Sequence, residues 1–171
     1  IELVPHQIVT KAREMKVKVE NSEFIADVEA DILKLVVFER HHATGNVGVG
    51  LAHGYGLKRG AIASTIAHDS HNLIVMGTND SDILLAAKEI EKMQGGIVIV
   101  DNGEVLKALP LPLAGLMSNE GVHYVEAQLN AMKILAHDMG VKCEHDPFLT
   151  LAFLSLPVIP ELKLTDLGLV D

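Results

Sequence analysis

The sequence predicts an α+β domain, a mixed and largely antiparallel β-sheet with two or three helices packed on it. Three observations carry that expectation. Short β-branched runs crowd the first half of the chain, two later stretches space apolar residues by three and four, and a hairpin signal lies between them. Strands first, with helices then interleaved around a hairpin, fit a layered sheet better than alternating βαβ units. The 171 residues suit one domain and bury a real core without disulfides.

The elements follow in order. Residues 1–30 read as a connecting arm with one or two short strands, packed against something outside the domain of residues 31–171. Lys16-Val17-Lys18-Val19-Glu20 alternates as a half-buried strand does, and Glu20-Asn21-Ser22-Glu23 reads as a turn. Leu35-Val36-Val37-Phe38 is a buried strand by composition. Val47-Gly48-Val49-Gly50-Leu51 alternates large residues with Gly, and Ala61–Ala67 and Leu73–Met76 are two further strands. Thr78-Asn79-Asp80 offers caps to a helix with Asp82 in its first turn. Its apolar face holds Ile83, Ala87 and Ile90 with Leu84 beside them, and Gly95-Gly96 stops it. Ile97–Val100, Asp101-Asn102-Gly103 and Glu104–Leu109 form the hairpin, which Pro110 and Pro112 end. Ser118 is the expected cap of a second helix, whose stripe is Val122, Val125, Leu129, Met132, Leu135 and Met139, closed by Gly140. Asp146-Pro147 is a cap with Pro in the first turn of a short buried helix, although a strand fits that run as well.

Composition excludes several classes. The net charge is −9, which argues against a nucleic-acid surface and an anionic membrane face. The absence of Trp removes the strongest stacking platform for single strands. The longest apolar stretch, residues 148–159, is broken by Thr150, Ser155 and Pro157, and is shorter than the ~18 residues a membrane span needs. Nucleic acid and membrane are therefore not expected partners. Cys143 is the single cysteine, which fits a reducing, cytoplasmic setting. Position 1 is Ile rather than Met, and the expectation is a piece of a longer polypeptide.

Two polar runs could carry chemistry. His68-Asp69-Ser70-His71-Asn72 places two imidazoles and a carboxylate within five residues, ligand types that Zn, Mn or Fe accept. The same run also reads as a group beside an active site, or as a polar turn whose Asp69 or Asn72 bonds the backbone. Glu39-Arg40-His41-His42 directly follows a buried strand and reads either as a site edge or as a solvated turn. The glycines at 48, 50, 54, 56 and 60 do not make a phosphate loop, because strands rather than a helix follow them and no GxxxxGK[ST] string exists. They read as bends and close strand contacts. Lys58-Arg59 reads as a solvated turn, or a pair meeting an anion or carboxylate. Cys143, between Lys142 and Glu144, reads as incidental rather than nucleophilic.

Longer strings add a resemblance. Val37-Phe38-Glu39-Arg40-His41-His42-Ala43-Thr44-Gly45, Gly54–Thr65, Ala67–Asn72, Leu109–Met117 and Leu156–Asp166 closely resemble the C-terminal domain of bacterial adenine deaminases of the amidohydrolase superfamily. The resemblance covers nearly the whole chain. It implies a parent hydrolase of purine salvage that converts adenine to hypoxanthine and ammonia with metal-activated water. The divalent metal, Mn or Fe, would sit mainly on a preceding barrel domain that carries a His-x-His, and no His-x-His occurs here. The site residues expected near that active site are Glu39, Arg40, His41, His42, His68, Asp69, His71 and Asn72, with no catalytic residue or metal ligand assigned within this chain. The implied partners are the preceding barrel, adenine, and further copies in a homo-oligomer. Two other readings stay open: a non-catalytic module that stabilises the barrel or builds the oligomer, for which Leu109–Met117 is the apolar segment, and an independent ligand-binding domain.

Overall fold

A computed structural model describes residues 1–142 and 144–171, so the reading of Cys143 falls outside the described residues. Twelve strands and three helices are described. In chain order these are β1 (Glu2–Leu3), β2 (Thr10–Lys11), β3 (Lys18–Glu20), β4 (Glu23–Ile25), β5 (Ile32–Phe38), β6 (Val47–His53), β7 (Ala61–Ser64), β8 (Leu73–Gly77), α1 (Asp80–Lys92), β9 (Gly96–Asp101), β10 (Glu104–Pro110), α2 (Val122–Asp138), α3 (Pro147–Phe153), β11 (Lys163–Thr165) and β12 (Gly168–Val170). Eight strands form one sheet in the order β10-β9-β7-β8-β5-β6-β1-β2. Every pairing in it is antiparallel except β1 with β6. The fold is α+β, as the sequence predicts.

The strand period of two divides the core between the two faces of the sheet. Leu33, Leu35, Val37, Ile62, Ile74, Met76, Ile97 and Ile99 face the side where α2 and α3 contribute Met132, Ala136 and Leu151. Val36, Ala61, Ala63, Val75, Val98 and Val100 face α1 through Ile83, Ala86 and Ile90. The central strands are buried on both faces, which is why they read as continuous apolar runs rather than as alternation. Leu84 is 51% exposed and lies off the buried face of α1, one position past the stripe.

Local chemistry accounts for the element ends. The Asn79 side chain accepts from the Asp82 N–H at 2.8 Å and caps α1. The buried Asp82 carboxylate accepts from Gly103 N–H at 2.8 Å and Asn102 N–H at 3.2 Å, so it ties α1 to the β9–β10 turn. Asn102 and Gly103 both take positive φ there, as a tight hairpin turn demands. Lys34 pairs with Asp80 at 2.6 Å, over the Phe24 ring. Asp146 caps α3 through Phe148 and Leu149, which decides for a helix in that run. Ser118 does not cap α2. That helix starts at Val122 behind Gly121, with no side-chain cap, because the Ser118 hydroxyl accepts instead from Glu120 N–H.

The glycine alternation in β6 has a physical cause. The C-terminal hairpin β11–β12 lies directly on Gly48 and Gly50. A Cβ on Gly48 would strike the Thr165 carbonyl oxygen, and one on Gly50 would sit 3.3 Å from Leu164 Cδ1. The first thirty residues carry four short strands instead of one or two. Of these, β1 and β2 join this chain's own sheet, where Ile1 and Leu3 enter the core. Arg59 pairs with Asp101 at 3.1 Å, and Lys58 Nζ donates to the Val28 carbonyl, so the basic pair serves the fold itself.

Candidate functional site

Register brings the two polar runs together. β5 and β8 are antiparallel neighbours with Phe38 opposite Leu73. The residues after Phe38 and those before Leu73 therefore leave the sheet at the same end of the two strands. Backbone pairing alone thus juxtaposes Glu39–His42 with His68–Asn72, thirty residues apart in sequence.

Glu39 organises its own loop. Its carboxylate accepts from the N–H groups of His41, His42 (2.7 Å) and Thr44 (3.0 Å), and from the Thr44 hydroxyl (3.1 Å). These bonds hold the carboxyl down to about 2, the Thr44 N–H contributing most and partial desolvation opposing. A carboxylate so engaged is a fixed anion rather than a proton carrier at neutral pH.

Arg40 links three loops. Its Nε donates to the His71 carbonyl at 2.6 Å, and a terminal nitrogen donates to the Ala114 carbonyl at 2.8 Å. Gly115, with φ of 75°, lets the guanidinium lie close, since a Cβ there would come within 2.8–3.0 Å of it. The Thr65 hydroxyl donates to the Gly115 carbonyl and accepts from Gly96 N–H, which fixes the same loop from below. A groove of about 490 Å³ opens beside Arg40, floored by Phe38, Ala87 and Ile90.

The imidazoles differ in role. His71 Nδ1 accepts from Ala67 N–H at 3.3 Å, which leaves the proton of a neutral ring on Nε2. Burial first, then the charges of His68 and Arg40, lower its pKa, so this neutral form dominates at neutral pH. His41 Nε2 lies 2.7 Å from the Ser70 carbonyl and must be the donor to it. His68 packs edge-on to His71 at 5.5 Å between ring centres and against Phe153 at 4.9 Å. His42 and Asp69 are exposed. Asn72 is buried and turns inward, donating to Asp166 at 3.1 Å.

Sequence reasoning missed Asp166 and Asn46. The Asp166 carboxylate, in the β11–β12 turn, accepts from Asn72 and from Asn46 at 3.3 Å, so it braces both loops at once. The only sequence cue is the turn-like Thr165-Asp166-Leu167-Gly168 string, which says nothing about its partners.

Residues 7–171 match the family described as the adenine deaminase C-terminal domain. The chain belongs to that family. Among curated relatives, an adenine deaminase 2 of Carboxydothermus hydrogenoformans is 59% identical, and adenine deaminases of Dehalococcoides mccartyi and Halalkalibacterium halodurans are each 52% identical. Each match covers all 171 residues of this chain but only 30%, 30% and 29% of the relative's own length. This adenine deaminase C-terminal domain thus spans under a third of those relatives. Among its described residues, no group of three or more His, Cys, Asp or Glu stands together to hold a metal ion, and none of its helices is long and apolar enough to cross a membrane.

Proposed function

We propose that this domain is the C-terminal part of an enzyme that hydrolyses adenine to hypoxanthine and ammonia, and that its Glu39–His42 and His68–Asn72 edge closes or supports an active site built by a preceding barrel domain. The family and the full-coverage relatives support the reaction. One observation supports the placement: both polar loops leave the sheet at the same strand end, where imidazoles and a guanidinium converge beside the exposed Asp69 carboxylate.

The roles divide as follows. Arg40 and Glu39 position the loops, and neutral His71 offers an Nε2–H to a neighbouring acceptor. The divalent metal expected of the parent, manganese or iron, does not fit the described residues, which lack a ligand set. This reading assigns its main ligands to the preceding domain. A cytoplasmic homo-oligomer completes this reading.

The test is ammonia release from adenine by the full-length polypeptide containing this chain, with and without His68→Ala plus His71→Ala. The expected result is an active parent and a double variant with lowered turnover at an unchanged melting temperature. A parent that leaves adenine intact overturns the reaction, and unchanged kinetics in the double variant overturn the placement. A structural or oligomerisation role is the competing reading, favoured by exposed Leu113, Met117 and Val122 on the loop before α2 and its first turn. Met117→Ser with Val122→Ser would then change the elution volume of the full-length protein and leave the chemistry intact.

A further inference from the structure

One end of the sheet is left unfinished, and the pattern of its open edge specifies what completes it. β6 pairs with β5 along its full length, but with β1 only at its C-terminal end, where Glu2 stands opposite His53. The Ile1 nitrogen donates to the Leu51 carbonyl at 2.8 Å, and His53 N–H donates to the Ile1 carbonyl at 2.8 Å. These are two rungs of a parallel ladder. The alternation of a strand sends the N–H of Leu51 and both the N–H and C=O of Val49 to the same side. Among the described residues, these groups have no backbone partner.

The open edge runs along a groove of about 580 Å³. Val49, Leu51, Leu162, Leu169, Val17 and Phe24 line it, together with the charged Arg13 and Glu14. A mainly apolar trough beside a row of free peptide groups is the shape that accepts an extended segment by strand addition.

We propose that the segment immediately preceding Ile1 in the full-length polypeptide fills this groove, extending β1 as a parallel strand along β6 as far as Val47. The proposal rests on the reading of this chain as the C-terminal part of a longer polypeptide, which the 30% coverage of the relatives supports. Covalent continuity selects the occupant. A segment tethered at Ile1 already lies in the ladder's register and direction, and its effective concentration at the edge exceeds that of any free strand. In this setting the Ile1 nitrogen is a peptide N–H.

Single-amide hydrogen–deuterium exchange on the full-length polypeptide tests this, with an internal control. The N–H groups of Gly48 and Gly50 point at β5, opposite Val37 and Leu35, and are protected in either case. The N–H groups of Val49 and Leu51 are protected only if the upstream segment pairs. The expected result is exchange at Val49 and Leu51 slowed about 100-fold or more relative to an unpaired edge amide, approaching that of Gly48 and Gly50. Fast exchange at Val49 and Leu51 beside slow Gly48 and Gly50 overturns the proposal. So does protection that vanishes on dilution to a monomer, which assigns the groove to a second copy. Exchange reports pairing and not turnover, so an active enzyme with an open edge refutes this inference alone. A protected edge in a protein inert toward adenine refutes only the proposed reaction.

Discussion

The loop after β5 folds mainly around its own carboxylate, whereas the loop before β8 adds to its local turn bonds three held by distant parts of the chain. In the first, Glu39 gathers the N–H groups of residues two, three and five places on. In the second, His71 is held by Arg40, the His68 N–H donates to the Ala152 carbonyl, and Asn72 reaches Asp166. Both runs look alike in sequence, polar and rich in histidine. The difference teaches that a cluster of ionisable residues separates into groups that build the loop and groups the loop presents. Only the hydrogen-bond partners tell the two apart.

Substitutions can break or sharpen this contrast. The largest effect is expected from Glu39→Ala, which removes the carboxylate that accepts from His41, His42 and Thr44 in the first loop. A loop displaced by an ångström costs about 100-fold in rate, so ammonia release by the full-length protein should fall by that order. Gly48→Ala comes next. It drives a methyl into the Thr165 carbonyl and pushes away the hairpin bearing Asp166, with an expected loss of about 1–3 kcal/mol in denaturant unfolding. Arg40→Ala frees the second loop while leaving the bonds of Glu39 intact, for about 1–2 kcal/mol. Arg40→Lys should not rescue it, because one ammonium cannot reproduce the planar two-carbonyl fork. Asp166→Ala strikes both loops together and should cost about 0.5–1.5 kcal/mol. Unequal loss of protection in the two loops would show that it braces only one.

The smallest effect is a pH dependence carried by Glu39. Its carboxyl titrates near 2, against an ordinary value of 4.5. A lowered folded-state pKa stabilises fully above the unfolded value and fades as pH falls through the folded one. The stability gap between the parent and Glu39→Gln should therefore hold above about 4.5 and shrink between about 4.5 and 2. Acid melts of the two proteins check this. A gap that widens as pH falls contradicts the role given to the carboxylate.

Much of the fold was legible in the residues. The 97–109 hairpin, the Asn79 and Asp146 caps and the β-branched cores of β5 and β8 rest on local chemistry, and each formed where that chemistry placed it. The Asn21-Ser22 turn also formed, with both residues at positive φ. Ser118 misled because three residues still separate it from the first helical turn, and its hydroxyl finds a nearer N–H. Leu84 misled because a one-residue offset on a helix turns a side chain by about 100°. The glycines of β6 were recognised as a sign of close contact, but their partner lies more than a hundred residues on, and no periodicity reports that. The site was half legible for the same reason. Residue types flagged both loops, but Asp166, Gly115 and Thr65 act only through tertiary approach.

Asp166 lies 94 residues beyond Asn72 and 120 beyond Asn46. During synthesis the sheet and α1 can assemble as they emerge, since their contacts are close in sequence, but the brace on both loops must wait for the hairpin. A nascent chain halted just before residue 163 would hold nearly all of its core, yet leave the β6 glycines bare and both loops without the Asp166 brace. Proteolytic quality control would thus meet an incomplete product whose least ordered part is the edge assigned to function.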